Sequence, residues 1–131
     1  MALQVSDNRG FAALIGVLIF GVLAVTTAST LMFAGIQTAK SSLLLRQSYE
    51  AQGVADACAE VALRALHDNT SYTGSAMLTL GTGSCTYTVT NLGGVARAVD
   101  VTATVARITK TISIEIDQVS PVINISSWRE V

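Results

Sequence analysis

The sequence predicts an α+β protein in which one long N-terminal helix spans a membrane with its first half and packs its second half on a small antiparallel sheet. Three observations predict this. Residues 11–39 carry no charge, small residues recur at helical spacing from Leu44 to Ala65, and strict two-residue alternation sets in beyond residue 80. The composition makes sense only once the chain is divided in this way. The 131 residues are 50% hydrophobic and 13% charged, about half the charge fraction of ordinary soluble domains. Asp7 and Arg9 precede the uncharged run and fifteen charges follow it, so the average describes neither part. So apolar a chain is not intrinsically disordered. A net charge of −1 with no basic face argues against nucleic acid as a partner. One His and two Cys supply no ligand set for a structural zinc site, and no cofactor is expected.

The first element is the apolar run itself. Its 29 residues would extend about 44 Å as a helix, against roughly 30 Å for the hydrocarbon core of a bilayer. Phe11–Val25 is strongly apolar; Thr26, Thr27, Ser29 and Thr30 soften it before Leu31, Met32 and Phe33. A cleaved secretory signal calls for a basic start and small residues at the cut. Here Asp7 offsets Arg9, and apolar character resumes at Leu31 beyond any cut near Ala28. A retained anchor fits better. Arg9 on one side is matched by Lys40 and Arg46 on the other, so the positive-inside rule does not orient the span.

The junction Arg9-Gly10-Phe11 sets a short polar leader, a Gly and an aromatic residue directly before the apolar run. This resembles the prepilin processing site of type IV pilins and of the pseudopilins of type II secretion. The resemblance implies that a prepilin peptidase cuts between Gly10 and Phe11 and N-methylates Phe11. It covers the leader and first helix, with only the general layout of the remainder. The family usually keeps a Glu five residues into the mature chain, where it pairs with a neighbouring subunit's amino terminus; here that position is Ile15. Some minor pilins and tip pseudopilins also lack it, so the resemblance implies a minor or tip subunit rather than the major repeating one. The helix-breaking Pro common in the family's span is missing too, although Gly16, Gly21 and Gly35 offer flexibility or close packing.

Helical spacing continues past the span. Leu44, Ala51, Ala55, Cys58, Ala62 and Ala65 follow steps of three and four with Ser48 in the one gap, and Val54, Val61 and Leu66 broaden the stripe. Arg46, Gln47, Glu50, Asp56, Glu60 and Arg64 supply polar faces, with Glu60–Arg64 a favourable i,i+4 pair. The helix is expected to end at His67-Asp68-Asn69, before the turn-rich NTSYTGS. From Phe11 to His67 it would measure roughly 85 Å, too long for a domain this small to bury. Three strands follow. Cys85, Tyr87 and Val89, then Val99, Val101, Ala103 and Val105, then Ile112, Ile114 and Ile116 alternate with polar neighbours, and Asn91-Leu92-Gly93-Gly94 makes a turn. Such a meander has one apolar and one threonine-rich face. After Pro121, the stretch from Val122 to Trp128 adds an edge strand or a packed tail. The chain thus divides into a leader (1–10), a membrane half (11–39), an amphipathic helical half (40–68) and a β head (69–131).

Cys58 lies on the apolar stripe and Cys85 on the inward face of the first strand, so both point into one interface. They form either a disulfide or a pair of buried thiols; a thin core and the oxidising compartment that the leader implies favour the bridge. His67 stands at a helix C-terminus without a nucleophile and acid in a triad pattern. Gly81-Thr82-Gly83 and Gly93-Gly94 lack the Lys of a phosphate loop and read as turns. Asp100, Glu115 and Asp117 fall on solvent faces without calcium-loop spacing, and Asn69-Thr70-Ser71 and Asn124-Ile125-Ser126 are short sequons common by chance. Arg97, Arg107 and Lys110 are expected on a solvated face as a loose basic cluster. No catalytic constellation emerges. The expectation is a non-enzymatic pilin-like subunit of the cytoplasmic membrane with its head outside. Its partners would be lipid, the peptidase and other pilin or pseudopilin subunits; a membrane-anchored surface protein that never polymerises is the alternative.

Overall fold

The structure, a computed structural model, describes residues 7–131. Residues 1–6 of the expected leader lie outside the described residues. Helix α1 spans Asp7–Asp68 and is followed by β1 Gly74–Leu80, β2 Gly83–Gly93, β3 Ala96–Val105, β4 Ile108–Gln118 and β5 Asn124–Glu130. The protein is α+β, as its periodicity predicts. It divides into two compact units, Met1–Ser42 and Leu43–Val131, and α1 contributes to both.

The head unit is built on an antiparallel meander in the order β1-β2-β3-β4-β5. Alternation decides its faces. Tyr87, Val101 and Ile112 stand opposite one another across three strands, as do Val89, Val99 and Ile114, and all six are buried. Each branched side chain taken from water contributes about 1.5–3 kcal/mol. Ala51, Ala55, Cys58, Ala59, Ala62 and Leu66 are buried on the helix, and all but Ala51 join the same core cluster. Four alanines among these six positions keep the helix backbone close to the sheet. Gly83 marks the tightest approach, where an added Cβ would lie 2.7 Å from Val105 Cγ2 and 3.1 Å from Val54 Cγ2.

Several boundaries differ from expectation. The helix begins at Asp7, so its start falls within the expected leader. It ends at Asp68: the Asn69 amide donates to Ala65 O, and Asn69 Oδ1 accepts from the Ser71 amide, closing the turn that follows. The buried stripe starts at Ala51, leaving Leu44 exposed at 54%, because the Gly83–Val105 end of the sheet sits at the level of Val54. Val61 is exposed, Ala65 is half-buried, and Ala59 takes their place in the core. The ion pair on this half of the helix is Arg46–Glu50, at 3.1 Å, rather than Glu60–Arg64. The sheet has five strands, not three. β1 pairs along its whole length with β2, and the tail after Pro121 forms β5 on the edge of β4. Asn91, Leu92 and Gly93 belong to β2, and the connection to β3 is made by Gly94 and Val95.

Candidate functional site

In the unit Met1–Ser42, the helix buries none of its apolar residues. Phe11, Leu14, Val17, Leu18, Phe20 and Val25 are each more than 60% exposed. This is the one helix, among the described residues, long and apolar enough to cross a membrane; it lies near the N-terminus, where an anchor and a signal sequence share those properties. The hydroxyls of its uncharged run are satisfied inside the helix. Thr26 and Thr27 donate to Leu23 O at 2.9 and 3.0 Å, Ser29 to Thr26 O at 2.9 Å, and Thr30 to Thr27 O at 2.8 Å. Back-bonding of this kind removes the cost of an unpaired donor in hydrocarbon.

The residues singled out for processing and assembly all lie on this surface. Gly10 and Phe11 are helical and exposed, and Ile15 is 40% exposed. At Gly10, Gly16, Gly21 and Gly35 an added Cβ would meet nothing within 4 Å, so no contact among the described residues requires a glycine there. Gly21 lies in a shallow apolar groove lined by Val17, Leu18, Val22, Val25 and Thr26. In the head unit, Leu43, Leu44, Leu45 and Tyr49 are also exposed, each by at least 54%. Three successive leucines spread around the helix rather than along one face.

The head is held by a staple and a clamp. Cys58 and Cys85 form a disulfide with Cα atoms 6.4 Å apart, tying the helix to β2. Both are buried, as their positions on stripe and strand predict. The clamp is Arg97. It was expected on a solvated basic face but is only 7% exposed, and the cluster with Arg107 and Lys110 does not form. Lys110 pairs with Glu130 on β5, and Arg107 sits exposed in the β3–β4 turn. Arg97 shares the parity of Val99 and Val101, so its side chain enters the inner face. There Nη1 donates to Asn91 Oδ1, Gly94 O and Ala96 O at 2.9–3.0 Å, and Nη2 donates to Thr70 O at 3.1 Å. Nε has no partner. Asn91 Oδ1 also accepts from the Gly93 amide at 2.8 Å, beside the bulge between Asn91 and Gly93. The parity of position 97 is the available signal for this clamp; the acceptors that make it tolerable are three backbone carbonyls and the Asn91 side chain.

Other polar groups are placed simply. Tyr87 is buried, and hydrogen bonding with Tyr72, then burial, push its hydroxyl above the usual tyrosine range. Asp100, Glu115 and Asp117 are exposed on the outer face of the sheet, where Asp100 accepts from the Ser113 hydroxyl at 2.8 Å. His67 is exposed next to Asp68. Among the described residues, no group of three or more His, Cys, Asp or Glu is placed to hold a metal ion. No family model, curated protein or solved structure matches the chain. What the molecule presents is one long apolar N-terminal helix followed by a small antiparallel sheet, an arrangement compatible with a pilin-like fold.

Proposed function

We propose that this chain is a structural subunit of type IV pilin or pseudopilin kind, of the minor or tip sort. It is inserted in the cytoplasmic membrane with its head outside and cut by a prepilin peptidase between Gly10 and Phe11, which leaves an N-methylated Phe11. It then assembles through its N-terminal helix with other pilin or pseudopilin subunits into a pilus or pseudopilus. The observation that carries the reading is the surface of α1: every large apolar side chain from Phe11 to Phe33 is exposed, and the same helix continues into a disulfide-bonded head. A signal sequence is discarded and needs no such continuation. Lipid satisfies the surface before assembly, and helices of other subunits satisfy it afterwards. The open glycines at 16, 21 and 35 support the second state, because small residues let helices approach closely where no hydrophobic drive separates helix from lipid. Ile15 in place of an acid supports a minor or tip position. The roles require no catalytic residue.

Peptide mass mapping of the protein isolated from its own membranes tests the reading. Methylated Phe11 at the amino terminus is expected, together with recovery of the chain in sheared filaments. An intact Met1 would leave a non-polymerising anchored protein, and a terminus near Ala28 would leave a secreted one.

A further inference from the structure

The two edges of the sheet, β1 and β5, are built differently. β5 carries Arg129 and Glu130, and its pairing with β4 shifts register between Glu115 and Ile116 and again between Ile116 and Gln118. Charges and bulges of this sort stop a sheet from growing at its edge. β1 has the sequence Gly-Ser-Ala-Met-Leu-Thr-Leu, without charge or proline, and all seven residues pair with β2 in unbroken register. Among the described residues, no backbone hydrogen bond outside its ladder with β2 involves Gly74–Leu80. Met77 stands on the outer face at 69% exposure, beside Thr86 on β2. Ala76, Leu78 and Leu80 pack against the core on the inner face. An unprotected edge with an exposed apolar side chain at its centre is a feature that natural sheets avoid unless something covers it.

We propose that β1 is the docking edge for the β1 strand of a second copy of this chain, paired antiparallel about a two-fold axis at Met77. Directly opposed residues of an antiparallel pair share a face, so the strand must match its own reverse. In the register centred on Met77 it does, using all seven residues. Ser75 opposes Thr79 on the outer face, where two hydroxyls can bond. Ala76 opposes Leu78 and Gly74 opposes Leu80 on the inner face, small against large each time. Met77 opposes Met77 of the second copy and covers the exposed apolar site. The absence of charge matters because self-pairing sets like residues near like; a single Lys or Glu near the axis would repel its own image. The result is a continuous sheet through both heads. A two-fold axis normal to the sheet reverses directions within its plane, so the helical segments packed on the two sheets run opposite ways. The contact stands independently of how the chain is processed.

Site-directed cross-linking of the full chain in detergent micelles tests this, with Cys58–Cys85 confirmed by peptide mapping in every variant. Met77→Cys is expected to give cross-linked dimers with a short thiol-to-thiol reagent. Ser75→Cys and Thr79→Cys are each expected to cross-link poorly alone and well when mixed. Adding Met77→Lys to both partners of that mixture is expected to lower the yield at least about tenfold. Position, rather than total dimer, is the readout, so association through the apolar helix does not imitate the result. The inference is overturned if Met77→Cys reacts no faster than Thr102→Cys, which is exposed on β3 of the same face. It is equally overturned if Met77→Lys leaves the mixed yield unchanged.

Discussion

Removing the Cys58–Cys85 bridge is expected to cost the head much of its stability. The two cysteines are 27 positions apart, and the chain-entropy relation for a loop of about 28 residues gives about 3.6 kcal/mol at 25 °C. Ordinary domains are stable by only about 5–15 kcal/mol, so this is a large share. For a head of this size the loss corresponds to roughly 15–30 °C in Tm. The loop-closure relation places this magnitude in the unfolded state, and both cysteines belong to one buried cluster in the folded head. The assay is unfolding of the full chain in detergent, followed by the fluorescence of Trp128 on β5, with and without reductant and again in a Cys58→Ala/Cys85→Ala variant. Reduced and doubly substituted chains should agree within about 1 kcal/mol, because the remaining difference is only a small cavity. A bridge worth less than about 1 kcal/mol, with native fluorescence retained, would refute the loop-closure reasoning. It would mean that the unfolded chain already holds Cys58 near Cys85.

Three further outcomes follow from the head. Gly83→Ala forces a Cβ to within 2.7 Å of Val105 Cγ2 and 3.2 Å of Thr104 O; a loss of about 1–3 kcal/mol is expected in chemical denaturation, with partial relief when Val105→Ala is added. Arg97→Ala takes the guanidinium away from Gly94 O, Ala96 O and Thr70 O, leaving Asn91 Oδ1 only its Gly93 amide, and is expected to cost about 2–4 kcal/mol. Arg97→Lys should recover little because one ammonium cannot span Asn91 and Thr70 together, and hydrogen exchange at the Gly93 amide should accelerate in both. Tyr87 titrates above its ordinary value of 10.0 because of Tyr72 and burial, so the folded state holds that proton more firmly than the unfolded state. Its contribution is complete below pH 10.0 and is lost as pH rises through the raised value. Tyr72→Phe should lower the Tyr87 phenolate midpoint in ultraviolet titration and shrink the alkaline loss; an unchanged midpoint would remove Tyr72 as the cause.

The parts of this fold that periodicity reveals are those in which one face is buried and the other is not. The alternations around Tyr87, Val101 and Ile114 announce their strands because every second residue is taken into the core. β1 is not announced by alternation, for the same reason in reverse: as an edge strand it is only half-covered, and Met77 puts a large apolar residue on its outer face, where alternation requires a polar one. Leu44 and Val61 fit the helical stripe by spacing, yet nothing in the sequence says where the sheet beneath them stops. Arg97 was misplaced because its charge suggested water while its parity pointed inward; the backbone acceptors that accommodate it are visible only after folding. Cys58 and Cys85 were legible because each lies on an independently predicted buried face. In the apolar half, composition identifies the exposed surface directly: its large side chains from Phe11 to Phe33 are exposed.

The bridge also decides which parts of the head feel a pull. Tension entering through the helix and leaving through the strands passes at Cys58 into the sulfur–sulfur link and continues from Cys85 along β2. Residues 59–84, comprising the last turns of the helix, the Asn69–Thr73 connection and all of β1, lie on a slack branch outside that covalent path. The Arg97 bond to Thr70 therefore holds a segment that bears no load. In the oxidised protein, stretching would strip strands from the C-terminal side while β1 stays seated on β2. In the reduced protein the same pull would load β1 and β5, the two edge strands, together. Oxidation state thus sets the order in which the head comes apart under force.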